Sequence, residues 1–324
     1  MDMDLLRRTP DLRAVADIRL MTLEDGPGRG QRLLVARNSA GIGFEIAVDR
    51  GFDISVLSFK GTNIGWNSPT QMTFPTHDPD SEEGWGFFRN FDGFMVTCGL
   101  DHYSRPHETD VSHYNYAHIK SRRMPHHGRI ATEKARLLGY GVDPQTLDIV
   151  CEGVVRQASV FGETLELRRK ITLPAFGSEL LIEDTVTNRA FRPTDHAIMY
   201  HLNFGYPFLD DSLTIGSLPD ADLSELNAIP PVPQDDFGEK VDVIDSRVTP
   251  HKTPITLANP TCGVAVSLDY NQACLPKLAV WRAYQSGVFA LGIEPRTDLR
   301  PTVGAFLQPG ESRSYALKLG FASF

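Results

Sequence analysis

Residues 164–173 read Thr-Leu-Glu-Leu-Arg-Arg-Lys-Ile-Thr-Leu, and this stretch decides the fold. Apolar residues recur at every second position, which places them on one face of an extended strand. The residues on that face are Leu165, Leu167, Ile171 and Leu173. Arg169 interrupts the same face. The pattern predicts a strand with one buried face, which is typical of antiparallel sheets.

Similar stretches recur along most of the chain. In residues 179–188 the alternation is less regular, but Ile182, Asp184 and Val186 share a face. Further candidate strands are residues 32–37, 43–48, 54–59, 93–98, 147–155, 195–204, 263–269, 278–284, 288–293 and 314–319. Clusters of Gly, Pro, Asn and Asp separate them, as in β-sandwiches and barrels. The sequence therefore predicts an all-β fold.

Helical signals are sparse. Residues 9–11 (Thr-Pro-Asp) precede Leu12, Val15 and Ala16, and this pattern predicts one short N-terminal helix. The pattern contains no long helices between strands, which argues against a parallel βαβ sheet. Residues 218–250 are rich in Pro, Asp and Glu and are interpreted as a long surface excursion that covers a site. Because no repeat of fixed period is visible, we expect residues 1–324 to form a single domain.

Composition excludes several function classes. The 324 residues are 41% hydrophobic and 23% charged, as in ordinary soluble globular proteins. The net charge of -9 argues against nucleic acid or an anionic membrane as a partner. The first residues do not resemble a secretory signal, and no stretch approaches the roughly 20 apolar residues of a membrane span. We therefore expect a cytoplasmic protein with a small-molecule partner. A homodimer is one option for its assembly.

The sequence does not match the familiar motifs for cofactor binding or for a catalytic nucleophile. Residues 26–30 (Gly-Pro-Gly-Arg-Gly) lack the P-loop Lys-Ser/Thr and the third glycine spacing, so they predict a β-turn. The sequence contains no Gly-x-Ser-x-Gly elbow and no CxxC spacing. We expect no cofactor. Reduced, buried thiols are predicted for Cys98, Cys151, Cys262 and Cys274.

Most of the ten histidines lie between residues 77 and 201. Six of them crowd residues 102–127, together with Asp101, Glu108 and Asp110. A metal site is one interpretation, but the spacing matches no standard zinc signature. We therefore predict no metal and interpret the segment as a polar loop over a cleft, with one or two functional histidines.

Two segments in this region differ from their surroundings in composition. Residues 84–93 (Gly-Trp-Gly-Phe-Phe-Arg-Asn-Phe-Asp-Gly) group aromatic side chains around Arg89. An aromatic wall with a bidentate donor is how proteins hold sugar rings, and an apolar turn with Arg89 in solvent is the alternative. Residues 126–130 (His-His-Gly-Arg-Ile) lead into a strand. A sugar-binding role for His127 and a simple turn are both compatible with that segment.

Two later strands each carry one titratable residue among apolar ones. Residues 200–204 (Tyr-His-Leu-Asn-Phe) supply His201, and residues 291–295 (Leu-Gly-Ile-Glu-Pro) supply Glu294. A histidine and a glutamate held on rigid strands form a candidate acid–base pair. Burial would raise the pKa of a glutamate toward neutrality, where histidine already titrates. The alternative is a core histidine bonded to a carbonyl and a glutamate paired with an arginine.

Taken in order, these residues resemble the aldose 1-epimerase (galactose mutarotase-like) superfamily. The resemblance rests on an upstream arginine, a His-Gly turn, a strand histidine and a C-terminal glutamate, here Arg89, His127, His201 and Glu294. Residues 49–54 (Asp-Arg-Gly-Phe-Asp-Ile) and 92–100 (Asp-Gly-Phe-Met-Val-Thr-Cys-Gly-Leu) resemble its little-characterised branch of unknown function. The resemblance covers roughly residues 30–320.

The resemblance implies a large antiparallel β-sandwich, the galactose mutarotase-like supersandwich, with a sugar cleft across one sheet. It implies that Glu294 removes the proton from the anomeric hydroxyl and that His201 protonates the ring oxygen. Ring opening, rotation and closure then give the other anomer. In this scheme His127 and Arg89 orient hydroxyl groups.

The sequence also departs from the family pattern. Arg296 stands where ordinary mutarotases often carry a neutral amide, so the substrate is expected to be acidic or otherwise unusual if Arg296 is free. An ion pair between Arg296 and Asp298 is the alternative. Further candidates for substrate binding are Asn203, Asp210 and Trp281.

Three functions are compatible with these residues. The first is an aldose 1-epimerase-like isomerase. The second is a non-catalytic carbohydrate-binding protein, which would be favoured if His201 and Glu294 lay too far apart to reach one sugar. The third is another sugar isomerase, a lyase or a hydrolase. Hydrolysis would need a second carboxylate, for which Asp101 and Asp210 are the candidates.

Overall fold

The computed structural model describes residues 3–218, 229–249, 253–299 and 306–324. Strands dominate these residues, and neighbouring strands in every sheet are antiparallel. The predicted all-β antiparallel fold is thus confirmed. The helical elements in the described ranges are short. They are α1 (Met3–Arg8), α2 (Ser81–Gly84) and 3-10 turns at Leu12–Ala14, Gly86–Arg89 and Ile130–Thr132. None of them is long and apolar enough to cross a membrane.

The strands are numbered in chain order. They are β1 Ala16–Thr22, β2 Arg32–Asn38, β3 Ile42–Ala47, β4 Asp53–Phe59, β5 Thr62–Asn63, β6 Met95–Leu100, β7 His107–Asp110, β8 Ser121–Met124, β9 Ala135–Val142, β10 Asp148–Ala158, β11 Thr164–Pro174, β12 Glu179–Asn188, β13 Thr194–Asp195, β14 Ala197–Phe204, β15 Thr214–Gly216, β16 Lys240–Asp245, β17 Ile255–Asn259, β18 Val264–Tyr270, β19 Lys277–Ala283, β20 Ala290–Arg296, β21 Phe306–Leu307 and β22 Ser312–Ser323.

Most strands belong to three sheets. The N-terminal sheet has the order β1-β2-β3-β4-β5. The eight-stranded sheet has the order β15-β17-β18-β22-β12-β11-β10-β9. The third, which we name the site sheet, has the order β16-β19-β20-β14-β6. Two further pairs, β13-β21 and β7-β8, lie outside these sheets.

Apart from its edge strand β16, the site sheet is buried on both faces, and these faces meet two different environments. On β14, Ile198, Tyr200, Leu202 and Phe204 pack into the main hydrophobic core, which also contains the inward residues of the other two sheets. Ala197 and Met199 belong instead to a second, smaller apolar cluster on the opposite face. Because side chains alternate along a strand, His201 and Asn203 point to that second face.

Arg169 is the polar centre of the main core. Strand β11 alternates as its sequence predicts, and the guanidinium of Arg169 is fully buried. Arg169 donates to Asp184 on β12 at 2.8 and 2.7 Å, and to Asp53 on β4 at 2.6 Å. It also donates to the hydroxyl of Thr97 on β6 at 2.8 Å. One side chain therefore joins the three sheets.

Two predictions near the N-terminus need correction. The helix expected from Thr9 onward is wrong in position, since α1 ends at Arg8 and β1 begins at Ala16. Asp11 accepts a hydrogen bond from the backbone of Arg13 and caps only a single 3-10 turn. By contrast, residues 26–30 form the predicted turn, in which the Arg29 amide donates to the Gly26 carbonyl at 3.2 Å.

The surface excursion predicted for residues 218–250 is right only in part of the range that the structure describes: residues 229–239 lie outside the named strands, whereas residues 240–245 do not. Residues 219–228 and 250 lie outside the described residues. Residues 240–245 form β16, which pairs along β19 and so becomes the edge of the site sheet. The four cysteines are free thiols as predicted; Cys98 and Cys151 are buried, whereas Cys274 is exposed.

We predict that Arg169→Leu will lower the free energy of unfolding by roughly 3–5 kcal/mol, because it leaves two buried carboxylates without their cation. Urea unfolding at pH 7 measures the change. Arg168→Leu is the matched control, since Arg168 is exposed and forms an ion pair with Glu152 on the neighbouring strand. Its unfolding midpoint should stay at the wild-type value. Equal midpoints for the two variants would contradict the role assigned to Arg169.

Candidate active site

A cavity of about 470 Å³ opens on the second face of the site sheet. Its wall includes five of the residues proposed from the sequence: His127, His201, Trp281, Glu294 and Arg296. Other residues that line it were not proposed: Phe91, Tyr103, Arg105, His126, Glu239 and Lys277. The cavity therefore collects side chains from the site sheet and from the loops around it.

The two candidate catalytic residues come from adjacent strands. The register pairs Met199 with Arg296 and Leu202 with Ile293 across β14 and β20. His201 and Glu294 lie between these pairs, and Nε2 of His201 is 3.1 Å from Oε1 of Glu294. Both side chains are almost fully buried. The contact is not aligned as a hydrogen bond, so the pair keeps donor and acceptor capacity for a ligand.

A glycine on β20 makes this contact sterically accessible. A Cβ atom added to Gly292 would lie 3.0 Å from Oε1 of Glu294 and 3.0 Å from Cε1 of His201. It would also lie 3.1 Å from Cβ of Trp281. These distances are shorter than ordinary van der Waals contacts. Any larger residue at 292 would therefore push against both members of the pair.

Burial sets the electrostatics of the pair. It raises the pKa of the Glu294 carboxyl to about 7, because the charged form loses hydration. Burial also lowers the pKa of the His201 imidazole, for the same reason. Phe91 and Trp281 supply much of the apolar surface, with ring centroids 4.8 and 5.2 Å from that of His201. Neutral forms of both groups are thus favoured in the free protein.

His127 presents a defined tautomer to the cavity. Its Nδ1 lies 2.9 Å from the carbonyl of Tyr103 and must donate, because a carbonyl can only accept. Burial lowers the pKa of His127 to about 3, so the ring is neutral near pH 7. Nε2 is then an acceptor, suited to a hydroxyl donor. The backbone of His127 has a φ of 57°, and Gly128 follows it, so the predicted His-Gly turn is present.

Comparison with known proteins assigns the chain to a family. Residues 28–321 match the family described as Domain of unknown function (DUF4432). The chain belongs to this family. No curated protein matches the sequence.

Solved structures share the fold of this DUF4432 protein. A Klebsiella pneumoniae protein described as a "putative aldose 1-epimerase" superposes with a TM-score of 0.79 at 22% identity, covering 94% of this chain and 83% of that one. A galactose mutarotase-like protein from Clostridium acetobutylicum gives 0.64 at 14% identity, with 96% and 100% covered. A galactose 1-epimerase from Lactobacillus acidophilus gives 0.58 at 12% identity, with 95% and 99% covered. The mutarotase-like sandwich expected from the resemblance is therefore confirmed.

Three residues proposed from the sequence do not line the cavity of the DUF4432 protein. Arg89 points to solvent, where its Nε donates to Glu82 at 2.8 Å. Asp210 accepts from Asn259 on the eight-stranded sheet at 2.8 Å. Asn203 is buried beside His201 and donates to the carbonyl of Gly93 at 3.0 Å. Arg89 and Asp210 bind polar partners outside the cavity, and the sequence pattern does not reveal these partners.

Aromatic side chains from residues 84–93 contribute to the cavity wall, although Arg89 does not. Phe88 and Phe91 line the cavity, as an aromatic wall requires. Trp281 continues the wall, and its Nε1 donates to Glu239 at 2.9 Å. Beyond Trp281 lies a second, mainly apolar cavity of about 380 Å³ that shares Phe88, Phe91, Trp281 and Glu239 with the first.

Some of the cavity-lining residues that the sequence analysis missed could have been predicted from the sequence. Lys277 shares the face of Trp281 on β19 by period-two spacing, so it could have been found. Glu239 and Arg105 lie outside regular patterns and had no such signal. In the His-rich segment, His102 contacts Asp101 at 3.2 Å. Within the described ranges, no group of three or more His, Cys, Asp or Glu side chains is placed to hold a metal ion.

The raised pKa of Glu294 predicts a pH-dependent stability difference. Between the ordinary value of 4.5 and about 7, the unfolded state releases a proton that the folded state retains, so wild-type stability falls as pH rises. Glu294→Gln removes this loss. We expect equal stabilities at pH 4.5 and a variant more stable by up to about 3 kcal/mol at pH 8.

Urea unfolding of both proteins at several pH values checks this prediction. His201 remains in both proteins, so its opposite contribution cancels in the difference. Glu24→Gln, at an exposed position that does not line the cavity, serves as the control. A wild type and a Glu294→Gln variant that lose stability in parallel would contradict the raised pKa.

Proposed function

We propose that this protein is an aldose 1-epimerase-like isomerase that interconverts the anomers of a sugar. The observation that carries the proposal is the 3.1 Å separation between His201 and Glu294 inside a cavity of sugar size. The anomeric hydroxyl and the ring oxygen of an aldose are bonded to the same carbon. A base and an acid that lie side by side can therefore reach both oxygens of one sugar. The similarity to mutarotase-like structures supports the same reaction class.

The proposed reaction begins when the Glu294 carboxylate accepts the proton of the anomeric hydroxyl. The electron pair of that O–H bond forms the aldehyde, the bond between C1 and the ring oxygen breaks, and His201 protonates the ring oxygen. Rotation about the C1–C2 bond and closure on the other face give the second anomer. During closure Glu294 returns its proton to the new anomeric hydroxyl and His201 takes back the proton from the ring hydroxyl, so the cycle is balanced without a cofactor.

The proton needed by His201 is available within the pair. Protonated Glu294 beside neutral His201 carries the same number of protons as ionised Glu294 beside imidazolium. Burial favours the first form in the free protein. A bound sugar that donates to the carboxylate and accepts from the imidazole favours the second. The pair thus acts as a unit that holds one proton on either side.

Other roles follow from position. His127 Nε2 is proposed to accept from a sugar hydroxyl, and the rings of Phe91 and Trp281 to cover an apolar face of the sugar. Asn203 is proposed to position His201 rather than to contact the substrate. A cytoplasmic location and a homodimer stay predictions.

The alternative functions are less well supported. Glycosidases place two carboxyl groups about 5–9.5 Å apart, whereas the contact partner of Glu294 is an imidazole. The candidate second acids are engaged elsewhere, Asp101 with His102 and Asp210 with Asn259. A large separation of His201 and Glu294 would have favoured a purely carbohydrate-binding protein, and the two residues are in contact.

We expect Glu294→Gln and His201→Asn each to lower the rate of catalysed anomerisation by roughly 10²- to 10⁴-fold, since each removes one proton-transfer group. Anomeric-exchange NMR on neutral and acidic sugars measures the rate. Glu24→Gln and His118→Asn, both at exposed positions, are the matched controls and should retain wild-type rates. Wild-type protein that accelerates exchange of none of these sugars would disprove the proposal.

Gly292→Ala tests the contact more gently. The added methyl would displace Glu294 and His201 without removing either group, so we expect the exchange rate to fall roughly 10- to 100-fold while the fold is retained. Gly139→Ala is the control, because a Cβ atom there meets nothing within 4 Å. If both variants catalyse anomeric exchange at the wild-type rate, the close contact between His201 and Glu294 is not needed for catalysis.

A further inference from the structure

Arg296 brings a positive charge to the candidate active site, where it opposes the burial-driven rise of the Glu294 pKa. It lies two residues beyond Glu294 on β20, on the same face, and lines the same cavity. Its guanidinium carbon lies 5.4 Å from the ring centroid of Tyr103, so the plane is supported by an aromatic ring. Its one hydrogen-bond acceptor in the described residues is the weakly accepting sulfur of Met199, 3.7 Å from Nη1.

The ion pair expected between Arg296 and Asp298 is wrong. Asp298 instead accepts from Arg247 at 2.5 Å and from Lys277 at 3.0 Å. In the described part of the chain, Arg296 has no carboxylate within ion-pair distance. Its Nε is buried and has no acceptor there. A buried guanidinium donor without an acceptor is costly, which indicates that a ligand supplies the missing acceptor.

The charged residues on the cavity wall also indicate an anionic ligand. The protein as a whole has a net charge of -9, yet Arg105, Lys277 and Arg296 all line this cavity. Against these three cations stand the carboxylates of Glu239 and Glu294, and burial raises the pKa of Glu294 to about 7, so its negative charge is only partial near neutral pH. Lys277 is already neutralised by Asp298. Arg296 is therefore the wall cation best placed to meet a negative charge on a bound molecule.

We infer that the substrate is a hexose carrying an anionic group on C6, bound through Arg296. This inference rests on the proposed anomer interconversion at His201 and Glu294. Residues two apart on a strand are separated by roughly 7 Å, about the reach from an anomeric centre across part of a pyranose ring. His201 would meet the ring oxygen, which is bonded to C5, and C5 carries C6. A C6 carboxylate would accept both donors of the guanidinium fork.

Matched pairs of sugars test this inference by anomeric-exchange NMR at pH 7.5. The pairs are glucose with glucuronate and galactose with galacturonate, which differ only at C6. Glucose 6-phosphate, as a further arm, distinguishes a carboxylate from a phosphate. We expect kcat/KM to be at least tenfold higher for one anionic sugar than for its neutral partner. Arg296→Gln should reduce it roughly 10- to 100-fold for that sugar and less than threefold for the neutral one.

Two further variants separate charge from geometry. Arg296→Lys retains the charge without the fork and should recover part of the loss on the anionic sugar. Arg168→Gln removes the same charge from the exposed face of the eight-stranded sheet and should change neither rate. Neutral and anionic sugars that exchange equally well, with Arg296→Gln affecting both alike, would overturn the inference and leave the proposed function intact.

A binding measurement keeps the two hypotheses distinguishable. Calorimetric titration of the Glu294→Gln variant with each sugar reports recognition without turnover. If Glu294→Gln binds the anionic sugar more tightly and Glu294→Gln/Arg296→Gln does not, the role of Arg296 is supported. If in addition no sugar is turned over, only the proposed function fails. Equal binding of neutral and anionic sugars by both variants would refute the inference independently of catalysis.

Discussion

The buried guanidinium of Arg169 is the constraint on which the structure depends. It bonds to Asp184 within its own sheet, to Asp53 on the N-terminal sheet and to Thr97 on the site sheet. Tyr200, whose hydroxyl donates to Asp184 at 2.8 Å, extends the network to the strand that carries His201. Directional bonds of this kind fix how the sheets are placed, which apolar packing alone would do less sharply.

Sheet placement in turn determines the chemistry of the cavity. Tyr200 faces the charged network and His201, the next residue, faces the cavity, because side chains alternate along β14. The strand is buried on both faces, so His201 and Glu294 are deprived of water and shifted toward their neutral forms. The same packing that stabilises the fold therefore places two proton-exchanging groups in contact and shifts the pKa of each in the direction that favours its neutral form.

Sequence patterns located the strands better than the loops. Period-two alternation found β10, β11 and β12 because burial of one face imposes it on residues close in sequence. It missed β16, whose edge position leaves Val241 and Val243 half exposed and blurs the pattern. The helix signal at residues 9–16 misled because a capping aspartate serves a single turn as well as a helix.

The sequence by itself determined the strand-dominated fold, the family, and the candidacy of His201 and Glu294, because these depend on local alternation and on short motifs. Only the tertiary structure decided which candidates meet. Sheet order brings β14 beside β20 and closes the pair to 3.1 Å. In the folded chain Arg89 points to solvent. Asp298 forms ion pairs with Arg247 and Lys277 and not with Arg296. Such choices between partners depend on distances across the fold, which no local pattern encodes.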